Sequence, residues 1–253
     1  RSKAVRSRGV VVNVHGGGWV AGSIDGDDPR CRIIAELARC AVVSVGYRLA
    51  PEHPFPLGVE DCTEVIGWVC RNAEGFDAPP GKVAVLGASA GANMAAAAML
   101  RLTRRDRRPI FQILFYPICD ASMAWPSYAE NGDGYFLTRR DMAWYWDQYM
   151  GGADPTLPLA SILRSGDLAS LPRGLVVTAQ YDPLCDEGEA LTETLNAAGV
   201  ATECIRYPGA IHGFVSLAPQ SSLTAMALDK VAELLAEAFD GRASGNQEAA
   251  VEG

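Results

Sequence analysis

The sequence predicts an α/β fold, one mostly parallel sheet with helices on both faces. Two observations predict it. Short apolar runs recur at residues 9–14, 41–46, 82–86, 110–116, 175–179 and 202–207, each the length of a strand buried on both sides. Between them lie stretches that read as helices, at 31–39, 59–72, 91–104, 187–198 and 223–239, the alternation that parallel strands require.

The first run ends in His15-Gly16-Gly17-Gly18-Trp19, a glycine loop after a strand. The segment 59–72 carries Cys62, Val65, Ile66 and Val69 on one face at i, i+3, i+4, i+7 spacing, the stripe of an amphipathic helix. The run 82–86 leads through Gly87-Ala88-Ser89-Ala90-Gly91 into an alanine-rich helix. Residues of about 120–165 break the rhythm and hold eight of the chain's twenty aromatics. Within them Thr138 and Asp141 form a capping signature for a helix through Tyr149. That insertion reads equally as a lid over a pocket or as a satellite core cluster. The last two strands lead into Tyr181-Asp182-Pro183-Leu184 and Gly209-Ala210-Ile211-His212-Gly213-Phe214. Residues 241–253, rich in Gly, Ala, Ser, Asn and Glu, are expected to be a disordered tail, leaving one domain over 1–240.

Composition narrows the function. The chain has 253 residues, 49% hydrophobic and 21% charged, enough for a sizeable core. Its net charge of −8 argues against nucleic acid or an anionic membrane surface as partner. No apolar run approaches the ~20 residues that span a bilayer, and the apolar segment after Arg1, Lys3, Arg6 and Arg8 is too short for a signal peptide. The seven cysteines are scattered without a C-x-x-C pair, which points to a reducing, cytoplasmic compartment.

The chemistry rests on four segments in a fixed order. A strand, a G-x-S-x-G and a helix together make a nucleophile elbow, with Ser89 on its sharp turn. A serine hydroxyl needs a base, and three histidines could serve: His15, His53 and His212. His53 lies between prolines in a loop, and His15 is accounted for by the glycine motif. His212, after the last strand, has the placement of a base. The base in turn needs a carboxylate to fix its tautomer. Asp182 is the candidate and Asp120 the runner-up, while Asp186 and Glu187 suit the start of the next helix. The amides of Gly17, Gly18 and Ala90 are candidate donors to a developing oxyanion. A dinucleotide G-x-G-x-x-G does not fit, because Gly22 falls out of register.

On these segments, together with Tyr47-Arg48-Leu49-Ala50-Pro51-Glu52-His53-Pro54-Phe55-Pro56 and Asp182-Pro183-Leu184, the chain resembles the hormone-sensitive-lipase-like family of α/β-hydrolase fold esterases. The resemblance implies Ser89, Asp182 and His212 as the triad and Gly17, Gly18 and Ala90 as the oxyanion hole. It also implies hydrolysis of short-chain carboxylic esters through an acyl-serine, with neither metal nor cofactor. Ala88 stands where the family usually has Asp or Thr. Only fourteen residues precede His15, where the family has further strands and cap helices. The expectation is therefore a fragment or shortened form with N-terminal strands and cap missing, an uncovered sheet edge, weak stability and a widened acyl pocket. Two other functions fit the same scaffold: an arylformamidase-type amidase, and a non-catalytic ligand receptor. The expected partner is a small-molecule ester, with a homodimer through the strand at 202–207 as a further possibility.

Overall fold

The computed structural model describes residues 6–102 and 108–241. The tail from 242 onward and the predicted helix end at 103–104 lie outside the described residues. Six strands form one parallel sheet in the order β2-β1-β3-β4-β5-β6. They are β1 (Val10–Val14), β2 (Ala41–Val45), β3 (Val83–Ala88), β4 (Phe111–Phe115), β5 (Gly174–Tyr181) and β6 (Thr202–Ile211). All six answer to the predicted runs, with β5 and β6 continuing two and four residues past their predicted ends.

Why the central strands read as unbroken apolar runs is clear from their two faces. Side chains of a strand alternate, and both sides of this sheet are covered. Val10, Val12 and Val14 of β1 join Val83 and Val85 of β3 in one core, while Val11, Ala84, Leu86 and Ile113 enter the other. The first core is closed by α2 (Leu57–Asn72), α3 (Ala90–Arg101) and α6 (Cys185–Ala197). The second is closed by α1 (Ile24–Ala38) and α8 (Ser222–Asp240). Strand β2 is an edge, and its Val42 and Val43 are only half-buried. Strand β6 is the other edge.

Helix α1 starts at Ile24 rather than at the predicted residue 31. The helix runs through Pro29. Ser23 caps it by accepting a hydrogen bond from the Gly26 amide, and Asp25 and Asp27 occupy its first turn. The short helices α4 (Pro126–Glu130) and α7 (Phe214–Leu217) are further elements that the sequence reading lacks. Helix α5 (Arg139–Met150) begins with the predicted capping box, Thr138 and Asp141 bonding reciprocally.

The aromatic insertion divides between two surroundings. Tyr128, Trp146 and Tyr149 are buried in the first core, where Tyr149 stacks on Trp19 at 4.2 Å and 1°. Phe136, Leu137, Met142 and Tyr145 instead line a cavity above the sheet. The loop after β2 ties these parts together: the Ala50 amide donates to Trp19 O (3.0 Å) and the Phe55 amide to Tyr149 O (2.7 Å).

Candidate active site

Each of the four candidate segments follows a strand, so all of them gather at the carboxyl edge of the sheet. In this strand order β1 runs on to β2 on one side and β3 lies on the other. The crevice at such a reversal is where open α/β sheets bind ligands. Register then fixes the neighbours. Val14 pairs with Gly87 and Ala88 with Phe115, which brings the glycine loop, Ser89 and Tyr116 side by side. Between Ala179 and Tyr181 the β5–β6 ladder shifts register, and Tyr181 then pairs with Ile211. The next residues on these two strands are Asp182 and His212. The irregularity thus sets where the acid and the imidazole emerge.

Ser89 sits at φ 56°, ψ −122°, a backbone conformation that costs a non-glycine residue about 1–3 kcal/mol. The packing around the turn enforces it. The Ser89 amide donates to Phe115 O at 2.9 Å. A side chain on Gly91 would strike the carbonyls of Val14 and His15, and one on Gly87 would meet Gly91 O at 2.5 Å. The turn can therefore press against the neighbouring strand only with glycine at both places.

The Ser89 hydroxyl lies 2.9 Å from His212 Nε2, and His212 Nδ1 lies 2.7 Å from Asp182 Oδ2. A carboxylate only accepts, so Nδ1 carries the proton and Nε2 is left to accept from the hydroxyl. Asp182 is fully buried, and its second oxygen accepts from the Leu184 amide at 2.9 Å. Tyr116 packs on the imidazole with ring centroids 4.6 Å apart. The runner-up Asp120 is elsewhere, accepting from Ser122 and Trp125 in its own loop. Asp186 accepts from the Ser127 amide and Glu187 from the Cys119 amide, both in the first turn of α6.

The glycine loop faces the same point. Gly16, Gly17, Gly18, Ser89 and His212 all line one cavity of about 280 Å³. Gly17 has φ 122°, and a side chain there would run into Ala21 O. Among the described residues none accepts a hydrogen bond from the amides of Gly17, Gly18 or Ala90. His15 is no second base. It stacks on Tyr47 (4.2 Å, 18°), and its Nδ1–H donates to Gly16 O at 2.8 Å. Tyr47 returns a hydrogen bond to His15 O at 2.9 Å, and burial lowers the imidazole pKa, keeping the ring neutral. The pair braces the loop, a role that sequence alone leaves unread because Tyr47 lies 32 residues away. His53 is exposed in its loop.

One consequence is testable. Gly17→Ala is expected to lower kcat on a short aryl ester about 10²-fold or more, the effect of losing one preorganised donor. Turnover within threefold of the wild type would remove this loop from the chemistry.

The alpha/beta hydrolase fold family matches residues 11–216. The chain is 41% identical over 215 residues to carboxylesterase NlhH of Mycobacterium tuberculosis, covering 83% of this chain and 67% of that protein. It is 37% identical over 218 residues to an arylesterase of Saccharolobus solfataricus, covering 85% and 71%. The hyperthermophilic esterase from Pyrobaculum calidifontis superposes with a TM-score of 0.86 at 38% identity, over 94% of this chain and 79% of that one.

Proposed function

The chain belongs to the α/β-hydrolase fold family, in its hormone-sensitive-lipase-like branch, and is a hydrolase acting on ester bonds; from that premise we propose a serine carboxylesterase of short-chain esters working through an acyl-Ser89 intermediate. The observation that carries the mechanism is the unbroken chain Ser89–His212–Asp182, at 2.9 and 2.7 Å, opening onto a cavity beside unengaged amides.

In this reading the Ser89 oxygen attacks the ester carbonyl while His212 Nε2 takes its proton. The new C–O bond turns the carbonyl oxygen into an oxyanion, held by the amides of Gly17, Gly18 and Ala90. Asp182 keeps the imidazole in place and stabilises the imidazolium. The C–O bond to the alcohol then breaks, and His212 hands its proton to the departing oxygen. A water, deprotonated by the same nitrogen, attacks the acyl-serine, and the acid leaves with Ser89 protonated again.

Chain length follows from room. About 280 Å³ lies at the small end for a ligand pocket, and Leu137, Met142 and Tyr145 of the insertion bound it. These residues would form the lid of the catalytic domain. A series of aryl esters from acetate to dodecanoate should therefore give its highest kcat/KM at short chains. A maximum at the long end would refute the short-chain assignment. A fluorophosphonate probe should label the wild-type protein, and failure to label would refute the acyl-serine mechanism.

A further inference from the structure

Asp27 and Ser216, which line the cavity, belong to a buried polar cluster that the hydrolytic mechanism does not use. Asp27 of α1 is 8% exposed and Arg30 is 4% exposed. Arg30 donates to Asp27 Oδ2 at 2.5 Å, to Asn13 Oδ1 at 3.1 Å and to Ser216 Oγ at 3.3 Å. Asn13 donates to the same Asp27 Oδ2 at 3.0 Å and to Ser44 Oγ at 3.2 Å. The guanidinium also lies over the Phe115 ring, 5.7 Å from its centroid.

Every donor of this cluster that meets Asp27 meets the same oxygen. Among the described residues nothing donates to Asp27 Oδ1, although Asp27 lines the catalytic cavity and keeps 10% of its side chain exposed. A carboxylate holds about four acceptor sites, and Oδ1 is not among the buried atoms without a partner, so it faces the cavity as an open acceptor. The charge is already matched by Arg30, so what the free oxygen lacks is a donor rather than a counter-ion.

The direction of the cavity says which half of an ester reaches it. His212 must stand beside the leaving oxygen to protonate it. Gly213, Ser216 and Leu217 follow His212 directly and line the cavity, and Ser216 accepts the hydrogen bond from Arg30. The alcohol half therefore extends along Ser216 toward Asp27.

We infer that Asp27 forms a polar subsite for a hydroxyl carried on the alcohol half of the ester, so that monoesters of short diols are preferred over alkyl esters of the same length. The subsite rests on the esterase reading for its orientation. The experiment separates the two by measuring binding without turnover. Calorimetry on the Ser89→Ala variant compares 4-hydroxybutyl butanoate with pentyl butanoate, which share the acyl group and chain length. The same comparison is repeated in Ser89→Ala/Asp27→Ala/Arg30→Met, which removes both charges together and leaves no unpaired one buried. The ratio Kd(pentyl)/Kd(hydroxybutyl) should fall about tenfold on that change, the effect of losing one hydrogen bond to a charged group. Should that variant fail to fold, Ser89→Ala/Asp27→Leu/Arg30→Leu fills both places with apolar side chains and should shift the ratio the same way. An unchanged ratio in a folded variant overturns the subsite. A shifted ratio together with a wild-type protein that hydrolyses neither ester supports the subsite and overturns the esterase reading instead.

Discussion

Ser89→Ala is expected to cut kcat on a short-chain aryl ester by about 10⁵- to 10⁶-fold, as removal of a triad nucleophile does. The loss should be purely chemical. The Ser89 amide bond to Phe115 O involves the backbone, which the substitution keeps. The strained turn at φ 56° is imposed by the packing of Gly87 and Gly91 against the neighbouring backbone, not by the hydroxyl. Alanine pays the same strain as serine. Thermal melting should therefore be unchanged or slightly higher, since active-site residues are often held at a cost in stability. Fluorophosphonate labelling should vanish together with turnover. A folded Ser89→Ala protein that keeps a tenth of its activity would mean another group attacks the ester, and the elbow would be only a turn.

How much of this was legible in the sequence depends on how far apart the cooperating residues are. Parallel strands announce themselves because both faces are buried, as the run Val10-Val11-Val12 dividing between two cores shows. The elbow is legible because strand, turn and helix are contiguous, and because each glycine has a local steric reason. Ser89, Asp182 and His212, named from the elbow, from their places after strands and from the resemblance, stand in one hydrogen-bonded line. Helix α1 starts seven residues before the expected position 31, where the Ser23 cap and the acidic first turn of Asp25 and Asp27 open it. The aromatic insertion could not be assigned to lid or core, because a helix with aromatics all round serves both: Tyr149 faces Trp19 and Tyr145 faces the cavity. The cluster of Asn13, Asp27, Arg30, Ser44 and Ser216 was invisible. Its members come from two strands and two helices, and only the fold brings Arg30 to Ser216, 186 residues away.

The second large effect belongs to the acid. Asp182→Asn is expected to lower kcat about 10⁴-fold near neutral pH, through the tautomer of His212. In the wild type both carboxylate oxygens face donors, Oδ2 the His212 Nδ1–H and Oδ1 the Leu184 amide. A carboxamide has one oxygen and one NH₂, and the site is fully buried, so water cannot repair a mismatch. With the oxygen toward Leu184, the NH₂ meets Nδ1, which must then accept; the proton moves to Nε2, and the imidazole can no longer take the Ser89 proton. With the oxygen toward His212, the NH₂ confronts the Leu184 amide donor to donor. The first arrangement avoids that buried clash, and it is the inactive one. Stability should change less than activity, since the first arrangement keeps every donor satisfied. The check is kcat on the short aryl ester beside a thermal melt of the same sample. A loss below tenfold would mean that His212 holds its working tautomer without the carboxylate, and the mechanism would reduce to a Ser89–His212 pair.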